Sequence, residues 1–263
     1  MDKMFIPTNN YNRMVQAVGA LSERDPTLPG LGLIYGRYGY GKSHAVTHYC
    51  GLWDIQYICV ERLWRPRRLL EEIADVLNLG DAEYRLDRLS DQVSDGLKRW
   101  KKPLFIDDAD YLFKNGIMLD VVRDLHERSK VPIILIGMER SLRKLSGYGH
   151  IFSRVLPAGI VEFSPVTPPE LVLIVKKWTG LSMGMEAAEL FCHYTEGDFR
   201  FIVGYLLSLE EACRVNAETA ITDRLIESVV NRNNGTRVKK VAHQNVGREA
   251  KSIILPGGKD EKS

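Results

Sequence analysis

The chain has 263 residues, 44% apolar and 27% charged, which is enough apolar content for one large or two moderate folded domains and excludes a chain disordered throughout. With 36 basic residues against 34 acidic ones the net charge is only +2, so overall charge announces neither nucleic acid nor a membrane surface as a partner. The start, MDKMFIPTNN, lacks the basic and apolar regions of a secretory signal, and no run approaches the roughly eighteen apolar residues that cross a bilayer, so a cytoplasmic protein with no membrane partner is expected.

Met14, Val15, Ala17, Val18 and Leu21 recur at helical spacing over 12–24, and the Pro26–Gly30 segment ends that helix. Leu31–Tyr35 is a short apolar strand, residues 36–42 are rich in glycine, and a helix is expected over 43–50. The run 55–60 is rich in branched and aromatic residues and predicts a second strand. Pro66 opens a helix over 66–79, with its apolar stripe at Leu69, Leu70, Ile73, Val76 and Leu77. Further helices are expected over 93–100 and 118–129, and strands over 103–106, 131–136 and 160–163. Strands that are apolar throughout and alternate with helices describe a parallel sheet buried on both faces, hence an α/β fold. From Thr167 the pattern becomes wholly helical, over 168–179, 187–194, 199–215 and 223–230. Three regions follow: an α/β domain over 1–165 with a lead-in helix, a small helical lid over 166–230, and a tail over 231–263. The tail carries eight Lys or Arg against Glu249, Asp260 and Glu261 without apolar periodicity, so flexibility is expected there.

Cys50, Cys59, Cys192 and Cys213 form no CxxC pair, and Cys50 and Cys59 have the apolar or aromatic neighbours of buried, reduced thiols. Trp53, Trp64, Trp100 and Trp178 stand among apolar residues, a spacing that predicts core packing over base stacking.

Gly36-x-x-x-x-Gly41-Lys42-Ser43 follows the first strand and opens a helix, the full pattern of a phosphate-binding loop in its required context. Glycine lets the backbone curl so that successive N–H groups face an anion, and the helix that follows directs its positive end at the same point. The expected nucleotide contacts are Gly36, Arg37, Tyr38, Gly39, Tyr40, Gly41, Lys42, Ser43 and His44, with Lys42 on the outer phosphates of ATP and Ser43 on Mg2+. Leu104-Phe105-Ile106-Asp107-Asp108 places two acids at the carboxyl end of the third strand. Asp107 suits the metal. Asp108 suits the attacking water, or else caps the turn into Tyr111.

GRYGYGKS, LFIDDADYLF, IILIGM, HIFSRV and GDFR, in that order from about Leu31 to Leu209, resemble the AAA+ ATPase family. The resemblance implies a P-loop NTPase sheet domain followed by a helical lid, ATP and Mg2+ as cofactors, and ATP hydrolysis as the activity. Asp108 stands where the family carries glutamate, which implies slow hydrolysis. Arg154 matches an arginine finger that completes a neighbouring subunit's site, so a homo-oligomer is implied, either a ring or a filament. Arg200 matches the sensor arginine of the lid. The family's polar sensor after the fourth strand would fall among Gly137, Met138 and Glu139, of which only Glu139 is polar. The compact size, the lead-in from Phe5 to Met14, the short lid and the basic tail are similar to the phage Mu B and TnsC transposition regulators. That likeness implies sequence-tolerant binding to duplex DNA, target selection and recruitment of a transposase or other recombination protein, with DNA contacts sought at Arg65, Arg67, Arg68, Lys101 and Lys102 and near Lys114. The alternative is an adaptor or loader ATPase that acts on protein partners in replication initiation or secretion.

Overall fold

The computed structural model describes residues 5–114 and 116–232. Its elements are, in order, α1 (Asn9–Glu23), β1 (Leu31–Tyr35), α2 (Lys42–Trp53), β2 (Gln56–Cys59), α3 (Pro66–Val76), α4 (Leu86–Trp100) and β3 (Leu104–Asp107). A 3-10 turn (Ala109–Lys114), α5 (Gly116–Ser129), β4 (Ile133–Gly137), α6 (Ser141–Ser146), α7 (Gly149–Phe152) and β5 (Val155–Glu162) follow. The helical part comprises α8 (Pro168–Thr179), β6 (Ser182–Met183), α9 (Met185–Thr195), α10 (Phe199–Asn216), β7 (Ala220–Ile221) and a last helix, α11, over 223–232.

The five long strands form one parallel sheet in the order β2-β3-β4-β1-β5. Alternation along each strand sends side chains to two different cores. Leu31, Leu33, Leu104, Ile106, Ile133 and Leu135 face the layer of α3, α4 and α5. Ile34, Phe105, Ile134 and Ile136 face α1 and α2. Because both faces are covered, the strands read as unbroken apolar runs. α1 lies very close to the sheet: a Cβ on Gly32 would come within 2.6 Å of the Leu21 side chain.

Several elements differ from the sequence expectation. α1 starts at Asn9, because the Thr8 hydroxyl accepts from the Tyr11 N–H and caps it. α3 ends at Val76, where Asn78 turns left-handed (φ 52°). α4 begins at Leu86, seven residues before the expected 93; its buried Leu89 lies one turn ahead of Val93 and continues the same stripe. β5 runs over 155–162 instead of 160–163, with a register irregularity opposite β1 between Leu31 and Leu33. Cys59, expected in the core, is exposed beside Asp108, and Trp53 is 62% exposed at the end of α2. Trp64, Trp100 and Trp178 pack partly buried against the cores. Asn231 and Arg232, expected in the tail, continue α11, and the rest of the basic tail lies outside the described residues.

The helical part has its own core, centred on Leu171, Ile174, Phe191, Ile202, Leu206 and Ile226. Thr167 and Glu170 form a reciprocal capping box, with Pro168 and Pro169 in the first turn of α8. This start is tied back to the amino end of α1, since Asn9 N donates to Glu170 Oε1 at 2.7 Å. The buried Asn10 amide closes the join from both sides: its Nδ2 donates to the Ser164 carbonyl at 2.7 Å and its Oδ1 accepts from Ser164 N at 3.1 Å. Replacing Asn10 by alanine removes two part-buried hydrogen bonds to the Ser164 backbone, each worth about 0.5–1.5 kcal/mol, so Asn10→Ala is expected to lower the unfolding free energy by about 1–3 kcal/mol in a urea titration.

Candidate functional site

The phosphate loop leaves the carboxyl end of β1. Gly36, Gly39 and Gly41 all have positive φ (151°, 81° and 84°), so the loop takes a shape that side-chain-bearing residues resist. Space reinforces the point: a Cβ on Gly36 would meet the Phe163 carbonyl at 2.5 Å, and one on Gly39 would lie 1.9 Å from the Asp198 carboxylate. Gly41 hands the chain to α2, whose first residues are Lys42 and Ser43. Lys42 is buried at 8% exposure, and its Nζ donates to the carbonyls of Gly36 and Arg37 at 2.7 and 2.9 Å. Burial pulls this ammonium below the usual lysine range, opposed by the negative charges of Asp107, Asp110 and Asp108 and reinforced by Arg200. Lys42 thus feels the charges of Asp107, Asp108, Asp110 and Arg200, and Ser43 follows it at the head of the same helix.

Asp107 ends β3, which is separated from β1 by the single strand β4. Two strand spacings amount to about 10 Å, a gap that takes phosphates and a hydrated cation. Gly137 ends the strand between them in a tight spot, where a Cβ would meet the Ser141 hydroxyl at 2.2 Å and Asp110 Oδ2 at 3.0 Å. Asp107 is 5% exposed, and each of its oxygens has a donor: the Tyr57 hydroxyl to Oδ2 and the Asp108 N–H to Oδ1, both at 2.7 Å. Burial and the Asp107 carboxylate raise the Tyr57 phenol above its usual value, so it stays a donor. Asp108 is left-handed (φ 51°), and its Oδ2 lies 3.4 Å from Cys59 Sγ. Its backbone carbonyl also accepts from Tyr111 N at 3.0 Å, so the residue belongs to both the site and the turn. No cluster of three His, Cys, Asp or Glu side chains exists among the described residues to cage a metal. Ser43 and Asp107 fit Mg2+, which takes one or two protein oxygens and completes its shell with phosphate and water.

Asp110, the third acid of DDAD, carries a job the sequence reading missed. Its Oδ2 accepts from Met138 N at 2.6 Å and the Ser141 hydroxyl at 3.0 Å, and its Oδ1 from Lys144 Nζ at 2.6 Å. Burial pushes this carboxyl up, but those hydrogen bonds more than offset it and hold it below the usual carboxylate range. The β3 turn is thereby bolted to the segment after β4, where the sensor residue was sought. Met138 enters through its backbone, and Glu139 is exposed. The spacing of Asp110 from Asp107 was the available signal; its partners lie in another part of the chain.

The lid meets the loop directly. Phe199 N donates to the Gly39 carbonyl at 2.9 Å, Arg37 pairs with Glu196 at 2.5 Å, and Asp198 caps α10 through Arg200 N at 2.7 Å. Between loop, lid and lead-in lies a cavity of about 380 Å³, lined mostly by apolar groups that include Ile6, Tyr11, Tyr40, Phe199 and Trp178. Arg200 and His44 also line it, and Phe5 stacks on His48 at 3.5 Å. The cavity suits a flat heterocyclic base beside the phosphate loop. Its walls come from five separate segments, which is why no motif announced it.

The remaining predicted residues lie elsewhere. The Arg154 carbonyl accepts from Leu31 N, the first residue of β1, whereas the phosphate loop leaves the last. The five residues between span about 16 Å, so the two are at opposite ends of the sheet. The Arg154 guanidinium donates to Glu127 Oε1 at 2.9 Å and to the Ser153 hydroxyl at 2.8 Å. Arg65, Arg67 and Arg68 follow the carboxyl end of β2, while Lys101 and Lys102 precede the amino end of the parallel β3, so these five do not form one patch. Arg67 and Arg68 are each paired one turn along α3, with Glu71 at 2.8 Å and Glu72 at 2.6 Å. Lys102 is spent on the end of α2, donating to the Trp53 and Asp54 carbonyls and lying over Trp100. Lys101 caps the end of α4 in a left-handed turn. Lys114 lies over Tyr111 at 5.1 Å. Arg62 and Arg65 flank the 88% exposed Leu63 on the loop between β2 and α3 and make no ion pair among the described residues. Arg62 stands apart in the sequence from the basic run Arg65–Arg68, on the loop before α3.

Residues 25–145 match the family described as AAA domain. None of the curated proteins compared with the chain matches it. Among solved structures, the Aeropyrum pernix ORC1 protein in complex with DNA is similar at 17% identity and TM-score 0.56, over 90% of this chain and 68% of that one. The Aeropyrum pernix ORC2 protein in ADPNP-ADP complexes is similar at 13% identity and TM-score 0.65, over 88% and 70%. A Thermotoga maritima RuvB variant is similar at 18% identity and TM-score 0.54, over 85% and 68%. The chain thus spans about two thirds of the length of these relatives in fold. No helix among the described residues is long and apolar enough to cross a membrane. The fold is an AAA+ P-loop sheet domain followed by a helical region, and the matched segment is an ATPase domain that uses ATP with Mg2+.

Proposed function

We propose that the chain is an ATP-dependent switch that assembles with copies of itself on duplex DNA and regulates transposition by marking a target and recruiting a transposase. The observation that carries the assembly is the separation of Arg154 from its own phosphate loop by the length of β1. An arginine so placed has no nucleotide of its own to serve, but it suits the site of the next copy in a head-to-tail array.

In this reading Lys42 and the loop amides hold the triphosphate, with the base in the apolar cavity behind Tyr40 and Phe199. Ser43 and Asp107 hold Mg2+, which when bound neutralises charge between the outer phosphates. Asp108 orients the attacking water from β3, with a shorter reach than glutamate. Arg200 brings positive charge from the lid, whose grip on Gly39 makes lid position depend on what the loop contains. DNA affinity comes from a few phosphate contacts per subunit repeated along the array, with Arg62 and Arg65 as the unpaired candidates. The transposition role rests on the resemblance of size, lead-in, short lid and basic tail to the Mu B and TnsC regulators. A second reading, a loader acting on protein partners in replication initiation, draws on the likeness to the ORC1 chain and to Drosophila ORC bound to DNA, 17% identical with TM-score 0.54.

The readings part on random-sequence duplex. Electron microscopy with ATP should show continuous filaments that shorten as salt rises from about 50 to 200 mM; no assembly on duplex at low salt would exclude the first. Lys42→Ala is expected to lose nucleotide binding and DNA binding together. Arg154→Ala should bind ATP near normally while turnover falls by roughly a thousandfold or more at saturating protein, as for other arginine fingers supplied in trans. Arg65→Ala should weaken DNA uniformly across sequences and reduce the salt slope by about one.

A further inference from the structure

β2 and β3 run in parallel register, with Tyr57 beside Phe105 and Cys59 beside Asp107. Tyr57 and Cys59 are two residues apart and project from one face of the strand. Asp107 and Asp108 are adjacent, and in extended backbone they would point to opposite faces. The left-handed turn at Asp108 (φ 51°) breaks that alternation. Both carboxylates are consequently met from β2, the first by the Tyr57 hydroxyl at 2.7 Å and the second by the Cys59 thiol at 3.4 Å. The Asp107 contact is the stronger: it is short, and it holds a carboxylate that is almost completely buried.

Asp107 is gripped at both oxygens, by Tyr57 on Oδ2 and by the Asp108 N–H on Oδ1. One donor would leave the carboxylate free to swing about its bond to Cβ. Two fix its plane. An ionised carboxylate has about four lone-pair directions, so two remain for a ligand.

We propose that Tyr57 is a positioning residue for the metal carboxylate: it sets the plane in which Asp107 meets the Mg2+ of bound nucleotide, without touching nucleotide or metal itself. The proposal rests on the reading of Asp107 as the metal ligand. Hydrogen-bond partners of metal ligands typically change metal affinity by about 10–100-fold when removed.

The test uses the full chain and a fluorescent ATP analogue, with binding measured in EDTA and then as Mg2+ is added. Tyr57→Phe is expected to leave metal-free analogue binding unchanged and to lower the melting temperature of the ligand-free protein by only a few degrees for the lost hydrogen bond, while the half-saturating Mg2+ concentration rises roughly tenfold. Tyr57→Met, which also lacks the hydroxyl, should show the same rise if the phenyl ring alone is not responsible. Cys59→Ala, which leaves both Asp107 contacts in place, should not move it. Asp107→Asn separates the two levels of inference. If it shifts the Mg2+ dependence strongly and Tyr57→Phe does not, Tyr57 has no positioning role; if Asp107→Asn has no effect, the metal assignment itself fails.

Discussion

A buried lysine beneath an open loop of glycines is the constraint to which the rest of the structure answers. Removing an ammonium from water is costly unless opposite charge is near. Here three aspartates, at 107, 108 and 110, supply it from the end of β3, and the carbonyls of Gly36 and Arg37 take two of the three protons of Lys42. The arrangement is balanced but open. A triphosphate entering the loop brings acceptors that compete for the same ammonium, and Mg2+ brings a charge that relieves the crowding of carboxylates. The site is organised in advance around charges it does not itself contain.

That organisation is held by contacts far apart in the chain. Asp110 joins the β3 turn to the segment after β4, Tyr57 reaches across from β2, and Phe163 crowds Gly36 from the end of β5. The lid enters through Phe199 and Asp198, which press on Gly39 so closely that only glycine fits. The lead-in completes the enclosure: Asn9 and Asn10 tie α1 to the start of the lid, and Phe5, Ile6 and Tyr11 line the cavity behind the loop. Loop, lid and lead-in are thus joined by direct contacts around one cavity.

The parallel sheet also separates two functions. Everything that can grip phosphate lies at the carboxyl ends of the strands, while Arg154 and its partner Glu127 lie at the amino end. In the assembly we propose, a head-to-tail stack brings one end against the other, and Arg154 serves the site of the next copy.

The sequence by itself determined the phosphate loop, the acids after β3 and the α/β-then-helical order, because each depends on local geometry: glycines at positive φ, an apolar strand before and a helix after, period 2 giving way to period 3.6. It could not determine which side chains were free to act. Arg67 and Arg68 form an arresting basic run, yet each is paired one turn along its own helix, and Lys102 lies at the other end of the sheet from them. Nor could it find Tyr57, Asp110 or the walls of the base cavity, whose partners are brought together by strand order and by the docking of the lid. Strand order is decided by the packing of both faces of the whole sheet, a property of no single segment, and that is what turned separate motifs into one site.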